Sequence, residues 1–123
     1  MLYFGIIFAG GMGALLRYLL GRLTMSLQWT SLPMGTLLAN LIGCFLIGYL
    51  SWVLVYRWQV SQNLQIIIIT GFLGGFTTFS AFSLEVISMF QQQAGARAFA
   101  YISINVVLSI LMTFLGLLIA RQT

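Results

Sequence analysis

Of the chain's 123 residues, 61% are hydrophobic and only 5% are charged. A water-soluble domain carries about a quarter charged residues, so this chain lacks the polar surface to stay dissolved, and its length suits membrane spans of about 20 residues with little left over. The net charge of +4 comes from five basic residues, all arginine, against one acid, Glu85. The arginines stand singly in apolar sequence, which excludes the basic stripe needed to track a phosphate backbone. With no histidine and one cysteine, neither a side-chain metal cluster nor a thiol–imidazole pair can be assembled within the chain, which argues against an enzyme.

The first apolar stretch covers about residues 2–20. Its opening Met1-Leu2-Tyr3-Phe4 lacks the basic region of a secretory signal, and Gly10-Gly11-Met12-Gly13 continues into more helix, so no cleaved leader is expected. Arg17 lies a turn from the end of this span, where its long stem lets the head reach the interface.

The second stretch covers about residues 32–56 and opens on the only proline, Pro33, a position where a helix tolerates it. At helical spacing Asn40, Gly43, Cys44, Ile47 and Gly48 form a narrow small-residue face with one amide on it, of the kind that lets helix backbones approach in a bilayer. Cys44 has no partner for an intrachain disulfide and reads as a small packing residue, the alternative being a reactive thiol.

The third stretch, about residues 64–90, contains Gly71-Phe72-Leu73-Gly74-Gly75-Phe76-Thr77-Thr78-Phe79-Ser80-Ala81-Phe82-Ser83. Adjacent glycines followed by two threonines make a poor continuous helix. One reading is a break, whose freed backbone groups must then be satisfied, in transporters and channels often by an ion. The other is a continuous helix whose glycines only permit close packing. Glu85, toward the end of this span, is expected to pair with an arginine such as Arg17; the alternative for Arg17 is to attract anions to an entrance.

The fourth stretch, about residues 98–120, repeats Tyr101, Asn105, Ser109 and Thr113 every four residues, a polar stripe along one face of an apolar helix. The stripe either bonds neighbouring helices or lines a narrow hydrated path. All four side chains donate hydrogen bonds and none is negative, which suits an anion. Between the stretches lie short polar segments at residues 22–31, 57–63 and 91–97. They divide Arg22 and Arg97 from Arg57 and Arg121, two on each side, so the positive-inside rule gives no direction of insertion. Either terminal details settle the orientation or the chain inserts both ways and pairs antiparallel.

Three blocks make the whole chain resemble the Fluc (CrcB-type) fluoride channels of bacteria: Gly-Gly-Met-Gly-Ala-Leu-Leu-Arg-Tyr ending at Tyr18, Pro-Met-Gly-Thr-Leu-Leu-Ala-Asn-Leu-Ile-Gly from Pro33 to Gly43, and Gly-Phe-Leu-Gly-Gly-Phe-Thr-Thr-Phe-Ser-Ala-Phe-Ser-Leu-Glu from Gly71 to Glu85. Ala81 departs from the pattern, standing where a threonine is common. The resemblance implies an all-α membrane protein, one transmembrane domain over residues 1–123, with four transmembrane helices, a broken third helix and an antiparallel, dual-topology homodimer. It implies a structural sodium ion held at the dimer centre by the backbone carbonyls of Gly74 and Thr77 from each subunit. It also implies a fluoride pore on Asn40, Phe79, Ser80, Phe82 and the stripe Tyr101, Asn105, Ser109 and Thr113. The function implied is passive fluoride efflux across the bacterial inner membrane. The alternative from another class is a small four-helix proton-coupled multidrug exporter, which span one, without an acid, does not favour; a third is an assembly subunit whose stripe only binds helices.

Overall fold

In hydrocarbon every backbone amide and carbonyl must find its partner within the protein, so an apolar stretch of this length folds as helix. The computed structural model describes residues 1–27 and 30–123 and is helical over most of each stretch. We label the helices α1 (Leu2–Leu27), α2 (Met34–Arg57), α3 (residues 62–76), α4 (Phe79–Gln91) and α5 (Gly95–Gln122). Helices α3 and α4 together make the third span, Gln62–Gln91, so among the described residues four segments are long and apolar enough to cross a membrane.

Helix α1 runs well past residue 20, where the apolar run ends. Nothing between Arg22 and Leu27 breaks a helix, and the polar side chains there bond back onto it. Thr24 Oγ1 donates to the Gly21 carbonyl at 2.9 Å and Ser26 Oγ to the Leu23 carbonyl at 2.6 Å. Pro33 precedes α2, and its carbonyl accepts the Leu37 amide at 3.2 Å, the first turn of that helix. The last turn of α2, Val53–Arg57, and the middle of α3, Ile67–Leu73, are wound as π-helix, a form that often marks functional segments. Ser61 caps α3 by accepting the Leu64 amide. Gln59 (φ 47°) and Gln93 (φ 57°) take the left-handed conformation at the two tight reversals, into α3 and into α5.

The packing follows the small residues. Helix α2 lies most extensively against α5, and α1 against α3. A Cβ on Gly48 would fall 2.0 Å from the Thr113 carbonyl oxygen, and one on Gly116 would fall 2.2 Å from that of Phe45. Only glycine allows α2 and α5 to touch backbone to backbone at both points. The α1–α3 contact has the same form, with Gly13 against Phe72 and Gly75 against Gly10. Leu37, Phe82, Val86, Met89, Ala98 and Tyr101 form the buried cluster where α2, α4 and α5 meet. At the far end Arg121 lies over the Trp52 ring, 5.0 Å from its centre, tying the end of α5 to α2. Tyr3, Phe4, Ile7 and Phe8 of α1 point outward as an apolar face for lipid or another helix.

Candidate functional site

Alternate spans of a bundle run in the same direction, so α2 and α5 lie parallel, and their polar positions fall into register. Asn40 meets Asn105, 65 positions further along the chain, and two other α2 positions meet α5 at the same spacing. Thr36 and Tyr101 meet at Glu85; Asn40 Nδ2 donates to Asn105 Oδ1 at 3.2 Å; Gly48 meets the Thr113 backbone. The stripe on α5 therefore faces a matching stripe on α2, and the two form a polar seam inside an apolar bundle.

The seam is completed by the middle of the third span. Thr77 (φ −83°, ψ 160°) and Thr78 (φ −155°, ψ 122°) are extended, between Gly74–Phe76 and Phe79–Gln91. The side-chain amide of Asn40 pairs with the Thr78 backbone as a neighbouring strand would. Its Oδ1 accepts the Thr78 amide at 2.8 Å, and its Nδ2 donates to the Thr78 carbonyl at 3.1 Å. Thr78 Oγ1 then accepts the Ala81 amide at 3.1 Å and caps α4. These bonds redirect two donors. In an unbroken helix the Thr78 amide would serve the Gly74 carbonyl and the Ala81 amide the Thr77 carbonyl. Both carbonyls lose those helical donors here. The Gly75 carbonyl instead accepts Arg17 Nε at 3.2 Å.

The aromatic residues stand beside this point. The rings of Phe79 and Phe82 are 5.4 Å apart and inclined at 60°; Phe82 and Tyr101 are 5.4 Å apart at 56°. Phe82 is buried, whereas Phe79 is 74% exposed and presents its ring outward from this chain. A cavity of about 300 Å³ opens here, lined by Asn40, Cys44, Phe79, Phe82, Asn105 and Ser109 among others. Asn105 is 4% exposed, and its Nδ2, like Ser109 Oγ, is buried without a hydrogen-bond partner. Two buried donors without a partner, on residues that line a largely apolar cavity, are the feature that calls for a ligand. Ser80 is exposed and shares a hydrogen bond with Thr78 Oγ1. Thr113 Oγ1 is turned back onto the Ser109 carbonyl at 3.1 Å, so it offers less to the seam than its place in the stripe suggests.

Glu85 closes the other end of the seam. Its two oxygens accept from Thr36 Oγ1 at 2.6 Å and Tyr101 OH at 2.7 Å. The expected pairing of Glu85 with Arg17 is therefore not the arrangement within this chain. Two hydroxyls satisfy the carboxylate, and Arg17 is held on the Gly75 carbonyl instead. A second cavity of about 480 Å³ reaches Glu85, lined by Gly21, Thr24, Pro33 and Thr36 among others.

Thr36 and Thr78 do not stand out in the sequence as site residues. The signal for Thr36 was its position one turn before Asn40 on the small-residue face of α2. The cap made by Thr78 is signalled only by its place after Gly74-Gly75, and two adjacent threonines do not say which of them bonds.

Four apolar helices among the described residues, a hydroxyl- and amide-lined seam between them, and buried donors without partners define a small membrane protein with a polar seam inside its bundle. Residues 4–117 match the CrcB-like protein (camphor resistance, CrcB) family. The chain belongs to that family. It is 40% identical over 116 residues to the fluoride-specific ion channel FluC of Rhizobium johnstonii, covering 94% of this chain and 93% of that one. The channel of the same name from Rhizobium etli is 43% identical over 112 residues (91% and 90%), and that from Legionella pneumophila 38% over 119 residues (97% and 89%). Four spans and bacterial relatives of nearly full length make it a multi-pass protein of a bacterial membrane.

Proposed function

We propose that the chain is a fluoride-selective channel that lets fluoride leave the bacterial cytoplasm down its gradient and so protects the cell from fluoride toxicity. The observation that carries this reading is the pair of unpartnered donors, Asn105 Nδ2 and Ser109 Oγ, in a cavity walled by Phe79 and Phe82. Taking a bare ion into a low-dielectric interior costs on the order of tens of kcal/mol unless its water is replaced. The open amide and hydroxyl supply donors, and ring edges supply the positive rim of the aromatic quadrupole. Asn40 acts at one remove, because its donors are already committed to Thr78 and Asn105. Tyr101 and Glu85 fix the end of the path. The relatives named as fluoride channels support the choice of fluoride among anions.

The chain works as an antiparallel homodimer of dual topology in the inner membrane. The even division of arginines supports this, as does the outward-facing Phe79 ring beside the seam. The interruption at Thr77 and Thr78 is the break in the third transmembrane helix. A sodium ion fits the Gly74 and Thr77 carbonyls, hard oxygen donors whose helical amides are turned elsewhere; when bound, it would supply the positive charge that those dipoles lack. The drug-exporter alternative finds no support. The only acid, Glu85, stands on the third span bonded to two hydroxyls, and the first span carries none.

A bacterial strain deprived of its own means of fluoride export tests the physiological role. Expression of the chain should restore growth in otherwise inhibitory fluoride, and the Ser109→Ala variant should restore it less. Equal growth with and without the chain would reject the role.

A further inference from the structure

Three rungs of the α2–α5 seam are occupied: Thr36 and Tyr101 by Glu85, Asn40 and Asn105 by each other, and Gly48 and Thr113 by backbone contact. The remaining rung, in the same register, pairs Cys44 with Ser109. Both line the 300 Å³ cavity together with Asn105. On these lining residues Ser109 Oγ is buried without a partner, as is Asn105 Nδ2 on a residue 4% exposed. Cys44 is a free thiol, half-buried, and the only cysteine of the chain. The sequence reading as a packing residue accounts for its size but not for its position on the wall of a cavity with open donors.

We propose that Cys44 is the site at which soft, thiophilic metal ions bind this protein, and that its occupation closes the path past Asn105 and Ser109. The proposal rests on the fluoride-channel reading for the consequence of binding and on the cavity geometry for the site itself. Thiol sulfur is the soft ligand among the cavity's donors, the others being amide and hydroxyl, so a soft ion is drawn to it in preference to them. Mercuric chloride is the suitable probe, because it is small and neutral and is not repelled by a path built for anions. The reaction balances without an oxidant. The S–H and one Hg–Cl bond break, an S–Hg bond forms, and a proton and a chloride ion leave. The Cys44–S–HgCl product puts a bulky group against the open rung, with a second chloride still attached to the metal.

The test uses the full chain in liposomes, with fluoride efflux and intact mass measured on the same preparation. Mercuric chloride should add one mercury per chain and slow efflux about tenfold or more, since a narrow path tolerates no added group; excess dithiol should restore both. Cys44→Ser and Cys44→Ala, each compared with its own rate before mercury, should gain no mercury and show no slowing. Two results overturn the proposal while leaving the channel reading intact: full mercuration with unchanged efflux, or efflux slowed equally in both variants. A mass that never changes in an actively conducting protein also overturns it, since the thiol then does not open to the cavity. If the untreated protein passes no fluoride, the channel reading itself has failed, which the untreated control reports before any mercury is added.

Discussion

Asn40 and Thr78 are joined through both backbone polar groups of the threonine, the Thr78 amide donating to Asn40 Oδ1 at 2.8 Å and the Thr78 carbonyl accepting from Nδ2 at 3.1 Å. A side chain on α2 thus does for an extended segment of the third span what a neighbouring strand does in a sheet. Within hydrocarbon this matters, because each backbone group left open costs several kcal/mol. The same bond withdraws the Thr78 amide from the Gly74 carbonyl, so one asparagine both permits the interruption and frees an oxygen beside it.

Replacing Asn40 by Asp keeps the acceptor for the Thr78 amide but sets a carboxylate oxygen against two other oxygens, the Thr78 carbonyl and Asn105 Oδ1. The added negative charge also opposes an anion. Fluoride flux should fall to near background, and melting in detergent should show a loss of about 1–3 kcal/mol from buried groups left unpaired. Normal flux with normal stability would contradict this account of Asn40.

The two phenyl rings should separate by what they do to stability. Phe82 is 6% exposed and packed on Tyr101, so Phe82→Ile should lose about 1 kcal/mol of aromatic packing as well as flux. Phe79 contributes little to the buried core of its own chain, so Phe79→Ile should lower flux with the melting temperature of the folded protein unchanged. Unaffected transport in both would return the rings to a packing role.

Glu85→Gln removes the charge that strengthens two short hydrogen bonds from Thr36 and Tyr101. Charge-assisted bonds are about twice as strong as neutral ones, so the variant should lose stability, on the order of 1–3 kcal/mol, and keep its preference for fluoride over chloride. Tyr101→Phe should reproduce part of the loss. A changed anion preference at intact stability would mean that Glu85 acts on the ion directly.

Much of this arrangement was legible in the sequence. The spans followed from composition, and the stripe on α5 from its four-residue repeat. The glycines of α2 pointed to close packing, and Gly48 is where α2 and α5 touch. The partner of Glu85 was not legible, because one acid among five arginines suggests an ion pair, whereas Thr36 and Tyr101 reach it from two other helices. The length of α1 was missed for a related reason. A polar segment reads as a loop until its Thr and Ser hydroxyls are seen bonded back to their own helix.

If the proposed dimer holds sodium on the Gly74 and Thr77 carbonyls, exchanging all sodium for a large organic cation should lower the melting temperature of the detergent-solubilised protein and shift it toward monomer in size-exclusion chromatography. Returning sodium should reverse both. Identical melting and elution with and without sodium would remove the ion from the account.

The most direct test of the central claim is anion efflux from liposomes containing the purified, folded protein, followed with fluoride- and chloride-selective electrodes. The seam of open donors beside the phenyl rings predicts rapid fluoride release with little chloride release. Absence of fluoride release, or equal release of both anions, would contradict it.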